Sequence, residues 1–142
     1  WSHSWRQSPH FYRFNEIDPL ILQRSFIKLS ASFPKCLISM YIFLRTGHAP
    51  LNKHLHRIHK TASPFCPHCP DIDETVHHLL LACPQYQRDH QSMFNMLGRQ
   101  ASSASFLLTD PSATPSLIRF VNATGRLRTI LGDIPLPRTP TR

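Results

Sequence analysis

Acidic side chains are scarce. The 142-residue chain has eight of them: Glu16, Asp18, Asp71, Asp73, Glu74, Asp89, Asp110 and Asp133. Two-metal phosphoryl chemistry needs several carboxylates converging on the ions from rigid elements. Only Asp71, Asp73 and Glu74 are close together, and they read as a helix start, which disfavours a self-contained polymerase or nuclease. Glycine is scarcer still. Gly47, Gly98, Gly125 and Gly132 stand isolated, so there is no glycine-rich phosphate loop. No apolar run approaches the ~18 residues of a membrane helix. No signal-peptide pattern opens the chain. Charged residues are 17%, under the ~25% usual for a soluble domain.

What is present points elsewhere. Hydrophobic residues reach 41%, enough for a modest core and against wholesale disorder. The length suits at most one ordinary domain. Thirteen prolines cut the chain into short pieces, and ten histidines are an excess for this size. Lys plus Arg number 16, giving a net charge of +8 with histidine neutral. That balance owes as much to few acids as to many bases, and its densest part runs from Arg45 to Lys60. It suits a polyanionic partner.

Three of the four cysteines cluster. Cys66 and Cys69 form a Cys-x2-Cys knuckle, followed by His77, His78 and Cys83. Zinc takes four tetrahedral N or S ligands, and a close thiolate pair with a later His and Cys is a common way to supply them. With His78 the spacing is C-x2-C-x8-H-x4-C; with His77 it is C-x2-C-x7-H-x5-C. Spacing leaves both histidines open. Pro64, Pro67 and Pro70 stiffen the knuckle and keep it out of a helix, which argues against a redox pair at a helix N-terminus. Free, non-ligating cysteines are an alternative to zinc; a basic, histidine-rich chain of intracellular character argues against two disulfides. Asp73 is the expected cap of the following helix, with Glu74 and Thr75 in its first turn and Val76, Leu79, Leu80 and Leu81 as its apolar face. His78 and Cys83 are five positions apart, so both reach one ion only if the helix loosens before Pro84. Cys36, alone in an apolar stretch, reads as a core thiol, and His68 as an exposed turn residue.

Leu44-Arg45-Thr46-Gly47-His48, Pro50-Leu51-Asn52, the basic stretch, Cys66-x2-Cys69 and Glu74-Thr75-x-x-His78-x4-Cys83-Pro84-x-Tyr86 together carry a resemblance. This stretch resembles the C-terminal zinc-knuckle region of non-LTR (LINE-type) retrotransposon polyproteins, such as those of fungi. There it follows the reverse transcriptase and, where present, the RNase H domain. The likeness covers about Arg45 to Arg88, with weaker echoes from Trp5 to Leu44 and in Val121-Asn122-Ala123-Thr124-Gly125-Arg126. It implies a zinc knuckle of Cys66, Cys69, His78 and Cys83, with one structural zinc. It also implies that the chain, which starts at Trp1 rather than Met, is a piece of a longer polyprotein. The parent would be an RNA-directed DNA polymerase. The catalytic motifs of the polymerase, endonuclease and RNase H are absent here, so this chain is expected not to be an enzyme.

The remaining elements read as mostly α: a small irregular helical domain organised around one zinc knuckle, with extended Pro-rich termini. Residues 1–17 are expected to be an extended N-terminal segment, the end of an upstream domain, whose Trp1, Trp5, Phe11 and Tyr12 belong to a core edge. Residues 18–98 are expected to form the helical domain containing the 66–83 knuckle, 99–132 short helices, and 133–142 a disordered Pro/Arg tail. Within these, 18–33 reads as an amphipathic helix with Pro19 in its first turn. Residues 35–46 read as a more buried helix ended by Gly47, with a strand as the alternative. A short helix carries Leu51, Leu55 and Ile58 inward and Lys53, His54, His56, Arg57, His59 and Lys60 outward. Residues 86–97 form another, with Met93, Phe94 and Leu97 inward. Shorter helices are expected over 102–108 and 116–121.

The expected function is a zinc-binding accessory module of a retrotransposon reverse transcriptase polyprotein, contacting RNA or target DNA through Arg45, Lys53, Arg57, Lys60 and Arg88. Arginine outnumbers lysine twelve to four, and arginine pairs with phosphate through a bidentate fork. A solvated face, or cations offsetting a formally anionic zinc site, are the blander readings of this basic run. The alternatives are a module docking on the polymerase or RNase H domain without nucleic-acid contact, or a non-functional remnant. Expected partners are RNA or DNA and other domains of the same polyprotein, with no membrane and no small-molecule substrate. The expected location is intracellular, in the nucleus or a cytoplasmic ribonucleoprotein particle.

Overall fold

The computed structural model describes residues 2–8, 11, 15, 17, 18, 25–31 and 33–136. Among these the protein is mostly helical, without named strands. The named α-helices among the described residues are α1 Ser2–Gln7, α2 Ser25–Ser30, α3 Lys35–Thr46, α4 Asn52–Arg57, α5 Gln87–Leu97, α6 Ala104–Thr109, α7 Thr114–Thr124 and α8 Arg128–Leu131. None of the described helices is long and apolar enough to cross a membrane.

Proline and glycine set the limits of α3. Pro34, extended at φ −68°, ψ 161°, precedes its first turn, and Gly47 closes it at φ 76° with its N–H donating to Phe43 O. That left-handed conformation suits glycine, which lacks a Cβ. Leu37, Met40, Tyr41 and Leu44 are buried on one face of α3. Tyr41 OH meets Thr114 Oγ1 at 2.7 Å, joining α3 to α7. In α7, Leu117, Ile118, Phe120 and Val121 are buried in turn. Helices α3, α6, α7 and α5 thus enclose one buried cluster that runs from Leu37 to Ile134.

Several expectations change. The segment expected to be extended over 1–17 contains the helix Ser2–Gln7; no breaker falls within it, and Pro9 disfavours helix only from Ser8. Trp1 and Tyr12, and the side chain of Trp5, lie outside the described residues, as do 19–24 of the expected 18–33 helix. Asp18, at the expected start of that helix, is buried. Ile58 is 45% exposed because α4 stops at Arg57. Phe94 is likewise 45% exposed. The inward row of 86–97 is Tyr86, His90, Met93 and Leu97, one position out of step with Phe94, and His90 stacks on Phe120 with ring centroids 5.1 Å apart. The buried cluster draws on both sides of residue 98. Ile134, placed in the tail, is 3% exposed. Its backbone N–H and C=O are both bonded to the Asn122 side chain, at 3.0 and 2.9 Å.

Candidate metal centre

The knuckle is a small loop closed on itself. Cys66 N–H donates to Ile72 O at 2.7 Å and Glu74 N–H to Pro64 O at 2.9 Å, across an isolated antiparallel bridge between Phe65 and Asp73. Inside the loop Cys69 N–H reaches back to Cys66 O at 3.2 Å. Asp71 takes the left-handed turn at φ 61° that returns the chain. Because 72–75 stays outside the helix, with Asp73 in the bridge, the helix starts later than expected. Thr75, not Asp73, caps it, accepting from His78 N–H through Oγ1 at 3.0 Å.

That helix widens at once into a π turn, His78–Ala82, closed by Cys83 N–H donating to His78 O at 2.8 Å. In an α-helix, positions five apart are turned about 140° from one another. The i→i+5 closure reduces that offset and turns His78 and Cys83 to the same side. Pro84, which lacks a donor, then begins a 3-10 turn, Pro84–Tyr86.

Cys66, Cys69, His78 and Cys83 converge, all buried, with their ligand atoms within 4.8 Å of one another. The Cys66–Cys83 and Cys69–Cys83 sulfur pairs are each 3.8 Å apart. A disulfide would need about 2.05 Å. A tetrahedron of bonds near 2.3 Å has edges of about 3.8 Å. His78 Nε2 is buried with no hydrogen-bond partner, a costly arrangement unless something accepts its lone pair. His77, one residue away, is exposed, so of the two histidines that spacing left open the fold turns His78 inward. His68 is exposed, edge-on to Tyr86 at 5.9 Å. These four side chains are close enough to hold one metal ion.

Burial pushes the thiols of Cys66, Cys69 and Cys83 above their ordinary value and the His78 imidazole below its own. Two backbone amides work the other way: the N–H groups of His68 and Gln85 bond to the Cys66 and Cys83 sulfurs and favour the thiolates. Such outer bonds orient ligands and tune a metal site.

Of the five candidate basic residues, one is not on the surface. Arg45 is a correction: it is 5% exposed. Its guanidinium pairs with Asp18, donates to Leu108 O at 3.0 Å and lies 4.7 Å from the Phe26 ring centre. Arg45 falls four positions after Tyr41 and eight after Leu37, on the buried face of α3. Lys53, Arg57, Lys60 and Arg88 are exposed. Lys53 Nζ lies 3.5 Å from Asp73, and Arg57 Nη2 is 3.5 Å from His54 Nδ1.

Glu74 was not among the candidate residues, yet it holds the centre to the rest of the fold. It is 1% exposed. Arg126 grips both its oxygens, Nε to Oε2 at 2.8 Å and Nη2 to Oε1 at 2.5 Å. Asn52 N–H also donates to Oε1 at 2.7 Å. The signal was the Val121–Arg126 echo, which supplies Arg126 here and the Asn122 that binds Ile134.

No protein-family model, curated protein or solved structure matches this chain.

Proposed function

We propose that this chain is a zinc-binding module of a retrotransposon-type reverse transcriptase polyprotein, and that its exposed basic residues contact RNA or DNA. The observation that carries the zinc reading is the tetrahedral sulfur spacing beside an unpartnered, buried His78 Nε2. Zinc in this donor set is closed and structural: three cysteines and one histidine leave no position for substrate. The chain's own residues would bind and orient; the polymerase chemistry would belong to the parent. The nucleic-acid reading rests on Lys53, Arg57 and Lys60, exposed on and just after α4, which is hydrogen-bonded to the knuckle through Asn52 and Lys53.

A second reading, docking on a neighbouring domain, is favoured by exposed apolar residues on α5, where Phe94 is 45% and Met96 67% exposed. Metal analysis of the purified chain should give one zinc per molecule, lost in Cys69→Ser. A folded, zinc-free wild type would refute the metal reading. Gel shifts with single-stranded RNA should weaken steeply with salt, since binding releases counterions, and Lys53→Glu with Arg57→Glu should abolish them. Unchanged affinity in that double variant would favour docking instead.

A further inference from the structure

Next to the metal centre, α4 and the Glu74–His77 segment line a cleft of about 800 Å³ together with the end of α3, residues 102–105 and Leu108. Its lining divides by burial. Leu44, Leu51 and Leu108 are buried, and Val76 and Leu81 half-buried, so the floor is apolar. Lys53, His56, Arg57 and His77 are exposed and His54 half-buried, so one edge of the mouth is cationic or imidazole-bearing.

The two carboxylates in the lining are already engaged: Glu74 by Arg126, and Asp73 by Lys53. Buried Arg45 is neutralised by Asp18. Among the described residues no carboxylate pairs with Arg57; its fork meets only the His54 ring nitrogen, at 3.5 Å. Arg57 is therefore a guanidinium at the mouth with no counter-charge, beside an apolar hollow of the size that holds small ligands.

We propose that this cleft takes one unpaired nucleotide of a bound strand, with the base on the Val76 and Leu81 floor and its phosphate at Arg57. The proposal rests on the nucleic-acid reading above and adds to it a preference for unpaired strand. A stacked, paired base cannot leave its helix to enter a hollow without an unpairing cost, whereas a base in a single strand splays out readily. A π-face on aliphatic side chains carries no edge readout, so the subsite accepts different bases. A free mononucleotide would share this chemistry; the strand is favoured because Lys53 and Lys60 add cations on both sides of Arg57 in sequence for neighbouring phosphates.

The test uses the zinc-loaded full chain and fluorescence anisotropy. Probes are a labelled 12-nucleotide oligouridylate, its deoxy counterpart and a blunt duplex of equal length. Wild type should bind the single strands more tightly than the duplex, the two strands reporting RNA against DNA. Val76→Phe, which fills the hollow, should weaken single-strand binding about tenfold while leaving zinc content and duplex binding unchanged. Leu81→Phe is the second variant should the first lose zinc. A 2-aminopurine in the strand should be shielded from acrylamide by wild type and exposed to it in a filled variant.

Filled variants that keep zinc and bind the single strand as wild type would overturn the subsite while leaving nucleic-acid binding intact. Equal wild-type affinity for duplex and single strand would overturn it too. Should neither strand nor duplex bind at low salt, the underlying reading falls with it. Competition by uridine monophosphate as strong as by the oligonucleotide would reassign the cleft to a free nucleotide.

Discussion

His77 and His78 differ by one position and have opposite surroundings. His78 is 6% exposed beside three sulfurs, while His77 faces solvent. His78→Ala should therefore release the metal, read as loss of bound zinc by mass spectrometry of the native protein, and His77→Ala should keep it. Retained zinc in His78→Ala would refute the ligand set. The pH dependence follows from the same burial. Burial pushes the Cys66, Cys69 and Cys83 thiols above their ordinary value, which favours the protonated sulfur when no metal is bound. Metal binding displaces those protons, and affinity climbs with pH by up to one decade per unit for each proton displaced. Burial lowers the His78 imidazole below its ordinary value, so it takes up a proton only in stronger acid than a free imidazole does. Chelator-competition titrations stepped from mildly acid to mildly alkaline buffer should tighten throughout; a flat profile would mean the sulfurs are already ionised.

At the scale of elements, α4 depends on the knuckle. It has six residues, Asn52–Arg57, and buries none of them fully; so short a helix is marginal in water without tertiary support. Support comes from Glu74 and Phe65: Asn52 N–H and Lys53 N–H donate to the Glu74 carboxylate and carbonyl, and Asn52 Nδ2 to Phe65 O at 2.6 Å. Chelating the metal should accelerate amide hydrogen exchange in residues 53–58 and leave α7 protected. Equal acceleration in both would mean that the chain unfolds as one unit when the metal leaves. Pro34, the apolar run and Gly47 mark α3 and its ends in the sequence. The start of the knuckle helix is not legible there, because Asp73 and Glu74 carry ordinary helix-start chemistry. Here a tertiary bridge to Phe65 and a buried ion pair to Arg126 claimed them first.

Over the whole molecule, Arg126 ties the C-terminal third to Glu74, and Ile134 folds the chain end back onto Asn122. Arg126→Ala would leave the Glu74 carboxylate buried without its counter-charge, and the cost should be about 3 kcal/mol, measured by urea unfolding of the zinc-loaded protein. Ile134→Ala should cost about 2 kcal/mol, because Ile134 closes the core against Asn122 rather than trailing in solvent. Cost near zero in either case would remove that contact from the set holding the fold together. Local chemistry was enough to read a helical chain, the limits of α3 and the cluster of possible metal ligands, because proline, glycine and thiol spacing act within a few residues. Three things needed the folded chain: His78 over His77, Arg45 turned inward, and Glu74 joined to Arg126 across 52 positions. A charge or an imidazole written along a sequence has no direction. Only the phase of its helix and the surface it meets decide whether it faces an ion, a partner or a buried counter-charge.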